Sequence, residues 1–413
     1  MTATEAAPLA AVARWMDSVS PARVGIAVSG GGDSVALLHL AHCAAPGRVA
    51  AVTVDHGLRA ASADEARQMA EYCADLGVPH RVLCWSGPAD SGNLMAQARQ
   101  ARFALIASWA QEQGLGCVAL GHTLDDQAES FLMNLGRAAG LDGLSGMRAD
   151  WQAAGVRWCR PLLAIARADL RAYLRGQGIS WIDDPTNEDD RFARVRARRA
   201  VAALRPVADL QAIGRSIAHL AALRADLTRA LGAWVAAHVT ERAGALTFDR
   251  VAWAALLPDL RRRLIPAILR WMTGAEHPPR EAQLARLIDA LLAGQGGTLG
   301  GVRFRAKGNH ISVMREPRAV AGLSVPCHGA GGRWDGRWRL TGPAAKGEEI
   351  RALGAQGLAL CPDWRTTGNP REALIVSPAI WEGARLVAAP LAGKSGGWVA
   401  EPDPSFGMFI LSH

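Results

Sequence analysis

Four short apolar runs mark the first third of the chain, at residues 24–28, 49–55, 80–85 and 117–121. Each is followed by a stretch with apolar positions at helical spacing, over 33–42, 62–76, 93–113 and 125–137. Continuous apolar strands alternating with amphipathic helices predict a parallel sheet covered on both faces. Such sheets bind ligands beyond the carboxyl ends of their strands. The turns that leave the four runs are therefore the places to look for chemistry. The first 20 residues carry Glu5 and Asp17 and lack a basic stretch before an apolar core. They read as a short amphipathic helix against this domain rather than a signal peptide.

Beyond Pro161 the pattern becomes irregular, then strongly basic over 191–205. Residues 206–294 look helical, with segments at 208–238 and 249–272, the second interrupted by Pro258 and Pro266. From Thr298 the chain is Gly-rich with short strand-like runs such as 309–314. The expected architecture is α/β: a doubly wound parallel-sheet catalytic domain at 1–205, a helical domain at 206–315 and a small mixed or β-rich domain at 316–413. A chain of 413 residues is too long for a single ordinary core.

Composition narrows the class. Half the residues are hydrophobic and a fifth charged, a globular balance. No apolar run reaches the roughly 20 residues of a membrane helix. The seven cysteines are odd in number and form no CxxC pair, which argues against a disulfide framework or structural zinc and fits a reducing cytoplasm. They are expected to serve mostly as small buried hydrophobes. A net charge of +8 favours a polyanionic partner without naming it.

The first turn reads Ser29-Gly30-Gly31-Gly32-Asp33-Ser34. Three glycines let the backbone approach a phosphate without a side-chain clash, and the following helix N-terminus offers partial positive charge. Ser29 and Ser34 add hydroxyl donors. No Lys-Ser or Lys-Thr ends the loop, so it is not the nucleotide loop of kinases and GTPases. An acid inside a phosphate loop needs compensation. Asp33 therefore implies either Mg²⁺ bridging to phosphate or a hydrogen bond that holds the loop.

The second run ends in Asp55-His56-Gly57-Leu58-Arg59, where the plainer role for the aspartate is to cap the next turn. The fourth ends in Gly121-His122-Thr123-Leu124-Asp125-Asp126-Gln127-Ala128-Glu129. Acids in a first helical turn are favoured by the helix dipole, which suffices for Asp125. Asp126 and Glu129 stand three apart on one face. Beside a bound phosphate group, such a pair can hold Mg²⁺ or orient and deprotonate an amine, whose ordinary pKa is about 10.4. The third helix carries Arg99 and Arg102, which would ordinarily be solvated charges. Farther on, Arg191, Arg194, Arg196, Arg198, Arg199 and Arg205 follow within fifteen residues, and Arg194 and Arg198 share a face if the segment is helical. Arginine suits bidentate contact with phosphate.

SGGGDS resembles the SGGxDS signature of the N-type ATP pyrophosphatases, the PP-loop family. DHGLR, and GHTLDDQAES set beside GHTxDDQxET, resemble the lysidine-synthetase branch, with Ser130 where threonine is usual. The segment from Trp158 through RPLL, DDPTN and the arginine block resembles that branch over some fifty residues, with Val195 and Ala197 in place of an asparagine and a larger aliphatic.

The resemblance implies an ATP-dependent ligase that adenylates the wobble cytidine of tRNA(Ile) with a CAU anticodon and then couples free L-lysine, releasing AMP and pyrophosphate. It implies ATP contacts from Ser29, Gly30, Gly31, Gly32, Asp33, Ser34, Asp55, His56, Gly121 and His122. Catalysis would fall to Asp33, Asp126, Glu129 and Arg198, with Mg²⁺ at Asp33 and Asp126. Substrate contacts would fall to Arg99, Arg102, Asp125, Arg191, Arg194, Arg196 and Arg199, and Arg261-Arg262-Arg263 fits a tRNA-docking region. A homodimer stays open. Two rivals remain at this point: a tRNA thiolase of the same superfamily, and an ATP-binding tRNA chaperone without chemistry.

Overall fold

A computed structural model describes residues 3–20, 22–57, 62–85, 94–183, 193–204, 206–275 and 277–412. The chain divides into two compact units, Met1–Ala225 and Asp226–His413. Among the described residues no helix is long and apolar enough to cross a membrane.

The first unit runs α1 (Ala3–Ser18), β1 (Val24–Ala27), α2 (Gly32–Ala44), β2 (Val49–Asp55), α3 (Ser62–Asp75), β3 (His80–Cys84), α4 (Leu94–Glu112) and β4 (Cys117–Leu120). It continues through α5 (Leu124–Leu135), α6 (Leu141–Leu144), β5 (Asp150–Ala153), β6 (Val156–Cys159), α7 (Arg167–Gly176) and α8 (Ala193–Leu204). The sheet order is β3-β2-β1-β4-β6-β5. All pairings are parallel except β5 with β6. That hairpin adds two strands to the expected four and makes one edge antiparallel.

Alternation builds the layers. On β2, Val49 and Ala51 join α1, α2, α3 and α7 in one core, whereas Ala50 and Val52 face Ile106, Trp109 and Ala110 of α4 in the other. The chain steps outward from β1 to β2 and β3, then returns to lay β4 on the other side of β1. The two strands carrying the glycine loop and the GHTLDD turn are thus neighbours, in register Val24↔Cys117 to Ala27↔Leu120. Their carboxyl ends form the crevice where strand order reverses, which is where doubly wound sheets take ligands.

Helix α9 (Leu210–His238) crosses the division between the units. The helical stretch expected from 206 to 294 is broken by a hairpin, β7 (Val239–Arg242) and β8 (Ala245–Asp249). After α10 (Arg250–Ala254), Pro258 opens α11 (Pro258–Thr273) instead of interrupting it, and Pro266 lies within that helix. Proline is favourable in a first turn because the N–H it lacks would have no partner there. Next come α12 (Glu281–Leu292), β9 (Gly297–Leu299), β10 (Val302–Lys307) and β11 (His310–Arg315), which complete a five-stranded sheet ordered β7-β8-β11-β10-β9. Two further small sheets, of four and three strands, occupy the rest. Trp334, Trp338 and Trp398 are buried in their common core.

Candidate active site

The loop after β1 is stitched by its own serine. Ser34 Oγ accepts the Ser29 N–H at 3.1 Å and donates to the Gly31 carbonyl at 2.8 Å. Both hydroxyls meet each other at 3.3 Å, so in this state they hold the turn. Gly30 has φ +84°, and a Cβ there would lie 2.7 Å from Ile182 Cδ1. The Ile182 N–H donates to the Gly30 carbonyl at 3.0 Å, and the Trp181 ring lies against Gly32. A Cβ on Gly121 would come 3.0 Å from the backbone of Asp33 and Ser34, so only glycine lets the β4 turn pack against the loop.

Helix α5 starts with a capping box. The Thr123 side chain accepts the Asp126 N–H, and Asp126 Oδ2 accepts the Thr123 N–H at 2.8 Å. That fixes Asp126, leaving Oδ1 to face Arg167 Nη2 at 3.1 Å and Arg194 Nη2 at 2.9 Å. Glu129, one turn on and with a side chain only 1% exposed, takes Arg194 Nε and Arg198 Nε, each at 2.9 Å, and Arg167 Nη1 at 3.4 Å. Arg167 Nε reaches back to Asp33 Oδ2 at 2.9 Å. Its backbone N–H is held by Asp125 Oδ2 at 2.7 Å, which caps α7. Val195 and Ala197 are buried on α8, and Val201 packs with Phe131 and Ala128 of α5, so apolar contacts bring Arg194 and Arg198 to the carboxylates.

Burial shapes the charges. It raises the Asp33 carboxyl above its ordinary value against the opposing pull of Arg167. At Asp126 burial acts the same way, but Arg167, Arg194 and the Thr123 N–H together hold the group below the ordinary value. Arg167 is itself desolvated, yet Asp33 and Asp126 push its pKa up.

Beside it lies a basic and aromatic wall. Arg160 Nε donates to His122 Nδ1 at 3.0 Å, and its guanidinium stacks 3.9 Å from the Trp151 ring. Burial and then Arg160 lower the His122 pKa to about 3, and burial brings Arg160 to about 10. Arg99 and Arg102 lie over Phe103, which meets Trp158 edge-on. Burial also lowers Arg102 and His56.

Of the residues singled out from the sequence, Asp33, Asp125, Asp126, Glu129, Arg194 and Arg198 converge around Arg167. Asp55 caps its turn through the Gly57 N–H at 2.8 Å. Arg196 and Arg199 are exposed on α8. Arg191, Arg205, Leu58, Arg59, Asn93 and the turn at 184–187 lie outside the described residues. Arg261, Arg262 and Arg263 each make a local contact, with the Ala254 carbonyl, Glu281 and Asp259. Of the seven cysteines, Cys73, Cys117, Cys159 and Cys361 are buried, in keeping with the expectation for most of them, and Cys117 and Cys159 meet in one core, while Cys43 and Cys84 are exposed. Sequence reasoning passed over Arg160, Arg167, Trp181 and Ile182, although all four stand inside the segment that carries the family resemblance.

The chain is similar in sequence to known proteins. A family model described as a PP-loop domain matches residues 7–204, from within α1 to the end of α8. The tRNA(Ile)-lysidine synthase of Ruegeria pomeroyi is 46% identical over 411 residues, covering 95% of each chain. That of Hyphomonas neptunium is 39% identical over 326 residues, covering 76% of this chain and 86% of its own. That of Rhizobium meliloti is 36% identical over 350 residues, covering 79% of this chain and 75% of its own. Likeness that extends past the PP-loop domain through nearly the whole of both chains goes beyond a shared nucleotide fold: the chain belongs to the tRNA(Ile)-lysidine synthase family.

Proposed function

We propose that the protein adenylates the wobble cytidine of tRNA(Ile) bearing a CAU anticodon and then joins free L-lysine to it, in the cytoplasm. The carbonyl oxygen at position two of the base attacks the α-phosphorus of ATP, and pyrophosphate leaves into the loop at 29–34. The lysine side-chain amine then attacks the activated ring carbon, and AMP departs. One observation carries the reading: a phosphate loop and a buried carboxylate pair face each other across one crevice, bridged by Arg167.

The residues divide the work by their chemistry. Backbone N–H groups of the glycine loop and the start of α2 receive pyrophosphate charge. The bond from Arg160 to Nδ1 puts the His122 proton on Nε2, leaving a neutral donor at the β4 end of the crevice. Asp126 and Glu129 hold the incoming ammonium and accept its proton before attack. Arg194 and Arg198 balance the negative charge that gathers there.

Mg²⁺ fits this reading only as a companion of the nucleotide. Among the described residues no three His, Cys, Asp or Glu side chains converge as a metal site, and Arg167 stands between Asp33 and Asp126. Asp126 has both oxygens engaged, whereas Asp33 binds Arg167 through Oδ2. Asp33 is therefore the better carboxylate for an ion held mainly by phosphate oxygens, where it would neutralise charge on the leaving pyrophosphate. Residues 206–315 remain, in this reading, a tRNA-docking region and 316–413 a terminal domain.

Pyrophosphate release measured with tRNA, with and without lysine, tests the proposal, together with mass spectrometry of the product nucleoside. Turnover should require both substrates and leave a lysine adduct on cytidine. Release of ADP in place of AMP, or turnover indifferent to lysine, would overturn it.

A further inference from the structure

The Arg167 guanidinium occupies the place where the two halves of the proposed reaction meet. Its three nitrogens reach Asp33 at 2.9 Å, Asp126 at 3.1 Å and Glu129 at 3.4 Å. An ammonium brings three donors and no acceptor, so it needs the same carboxylate oxygens. Arg167 and the lysine side chain cannot both hold them. The Arg167 backbone is pinned by Asp125 Oδ2 at 2.7 Å at the head of α7, so only its side chain can yield. Arg194 and Arg198 share these carboxylates, but Arg167 is the arginine that also grips the phosphate loop, through Asp33. A triphosphate in that loop would be a stronger anion within the same reach.

We propose that Arg167 is a positioning residue that couples the nucleotide to the amine. Without nucleotide it fills the ammonium position between Asp126 and Glu129. With a triphosphate in the loop it turns to the phosphates, and the carboxylates open to lysine. The inference rests on reading this crevice as the ATP and lysine site. It makes lysine a ligand of the nucleotide-loaded site rather than of the empty one, so the amine is already in place when the adenylate forms. Because coupling is reciprocal, lysine must tighten the nucleotide by the same factor that the nucleotide tightens lysine.

Equilibrium dialysis of labelled L-lysine against the full chain, with and without a non-hydrolysable ATP analogue and Mg²⁺, reads the coupling directly. In the wild type the analogue should tighten lysine by about fivefold or more, and lysine should tighten the analogue equally. Arg167→Met, which keeps length and removes charge, should bind lysine without nucleotide about as tightly as the wild type does with it, leaving a coupling factor near one. A merely structural Arg167 would weaken lysine equally in both arms, and that result overturns the proposal. So does a wild type with no coupling, a measurement that stands even if the variant fails to fold. If the wild type binds no lysine even with analogue and tRNA, the reading of the amine falls and takes this inference with it. Lysine binding indifferent to nucleotide sinks the inference alone.

Discussion

In the unit at 226–413, Asp335 takes Nε and Nη2 of Arg315 at 2.8 Å each, with Arg337 Nε 3.9 Å away. Those three side chains are at most 8% exposed, and Arg337 lies over the Trp271 and Trp338 rings while donating to the Gly244 carbonyl. In the other unit Asp126 and Glu129 are equally enclosed, but Arg194 and Arg198 are 42% and 39% exposed. The chemistry is the same and the surroundings differ. The first cluster is closed on every side and can do nothing but hold three strands of chain together. The second buries its anions and Arg167 but leaves Arg194 and Arg198 at the crevice, where a competing cation or anion can replace a partner. A sealed charge cluster is architecture; one open on a single side is the candidate for binding.

The sharpest way to break this comparison is to neutralise one buried anion in each cluster. Asp126→Asn keeps the acceptor for the Thr123 cap but removes the charge, and turnover should fall by about a hundred- to ten-thousandfold in the pyrophosphate assay. The melting temperature should move little by comparison. Asp335→Ala should do the reverse. It strands two buried arginines, which costs about 3–5 kcal/mol in denaturant unfolding. An Asp335→Ala protein of wild-type stability would show that the sealed cluster is not what closes its unit.

How much of this was visible in the chain depends on range. The strand–helix alternation and the crevice were legible because hydrophobic periodicity and Gly-rich turns are local signals. The β5–β6 hairpin was not, since Asp150-Trp151-Gln152-Ala153 and Val156-Arg157-Trp158-Cys159 are only four residues each, too short for their alternation to stand out from the surrounding chain. The 239–249 hairpin was hidden between strong helical patterns, and Pro266 looked like a helix end although tertiary packing carries the helix through it. Arg194 and Arg198 could be placed on one face by spacing alone. Arg167 could not be weighted: it opens an ordinary helix, and its importance arises only when Asp125, 42 residues earlier, pins that helix to α5.

A smaller effect tests whether the glycine loop is shaped for a ligand or merely for its neighbours. Gly30→Ala places a side chain at φ +84° and 2.7 Å from Ile182 Cδ1. The positive φ alone costs about 1–2 kcal/mol, so ATP affinity should weaken by about five- to thirtyfold. Gly31→Ala meets nothing nearer than Ser29 Oγ at 3.7 Å and has φ −68°. Affinity lost there reports the nucleotide itself, and unchanged ATP binding in Gly31→Ala would mean that phosphate does not approach this backbone.

The mildest expected effect concerns His122, which belongs to the open crevice and is partly buried there. Its Nδ1 accepts from Arg160 at 3.0 Å, so a second ring proton would have to face a guanidinium. Burial and Arg160 accordingly lower its pKa from 6.5 to about 3. In the unfolded chain the imidazole takes up its proton near pH 6.5, whereas in the folded chain it does so only near 3. Between those values the unfolded state binds more protons, so stability rises with pH across that window and falls as pH drops through it. Histidine resonances followed by NMR should show His122 fixed as the Nε2–H tautomer from pH 8 down to pH 5. His122→Asn should flatten its share of the acid dependence while leaving stability near pH 8 almost unchanged, because there the ring is neutral in both states. A His122 resonance that titrates near pH 6.5 would mean that the crevice is wetter than its packing implies, and the contrast between sealed and open charge would have to be redrawn around solvent.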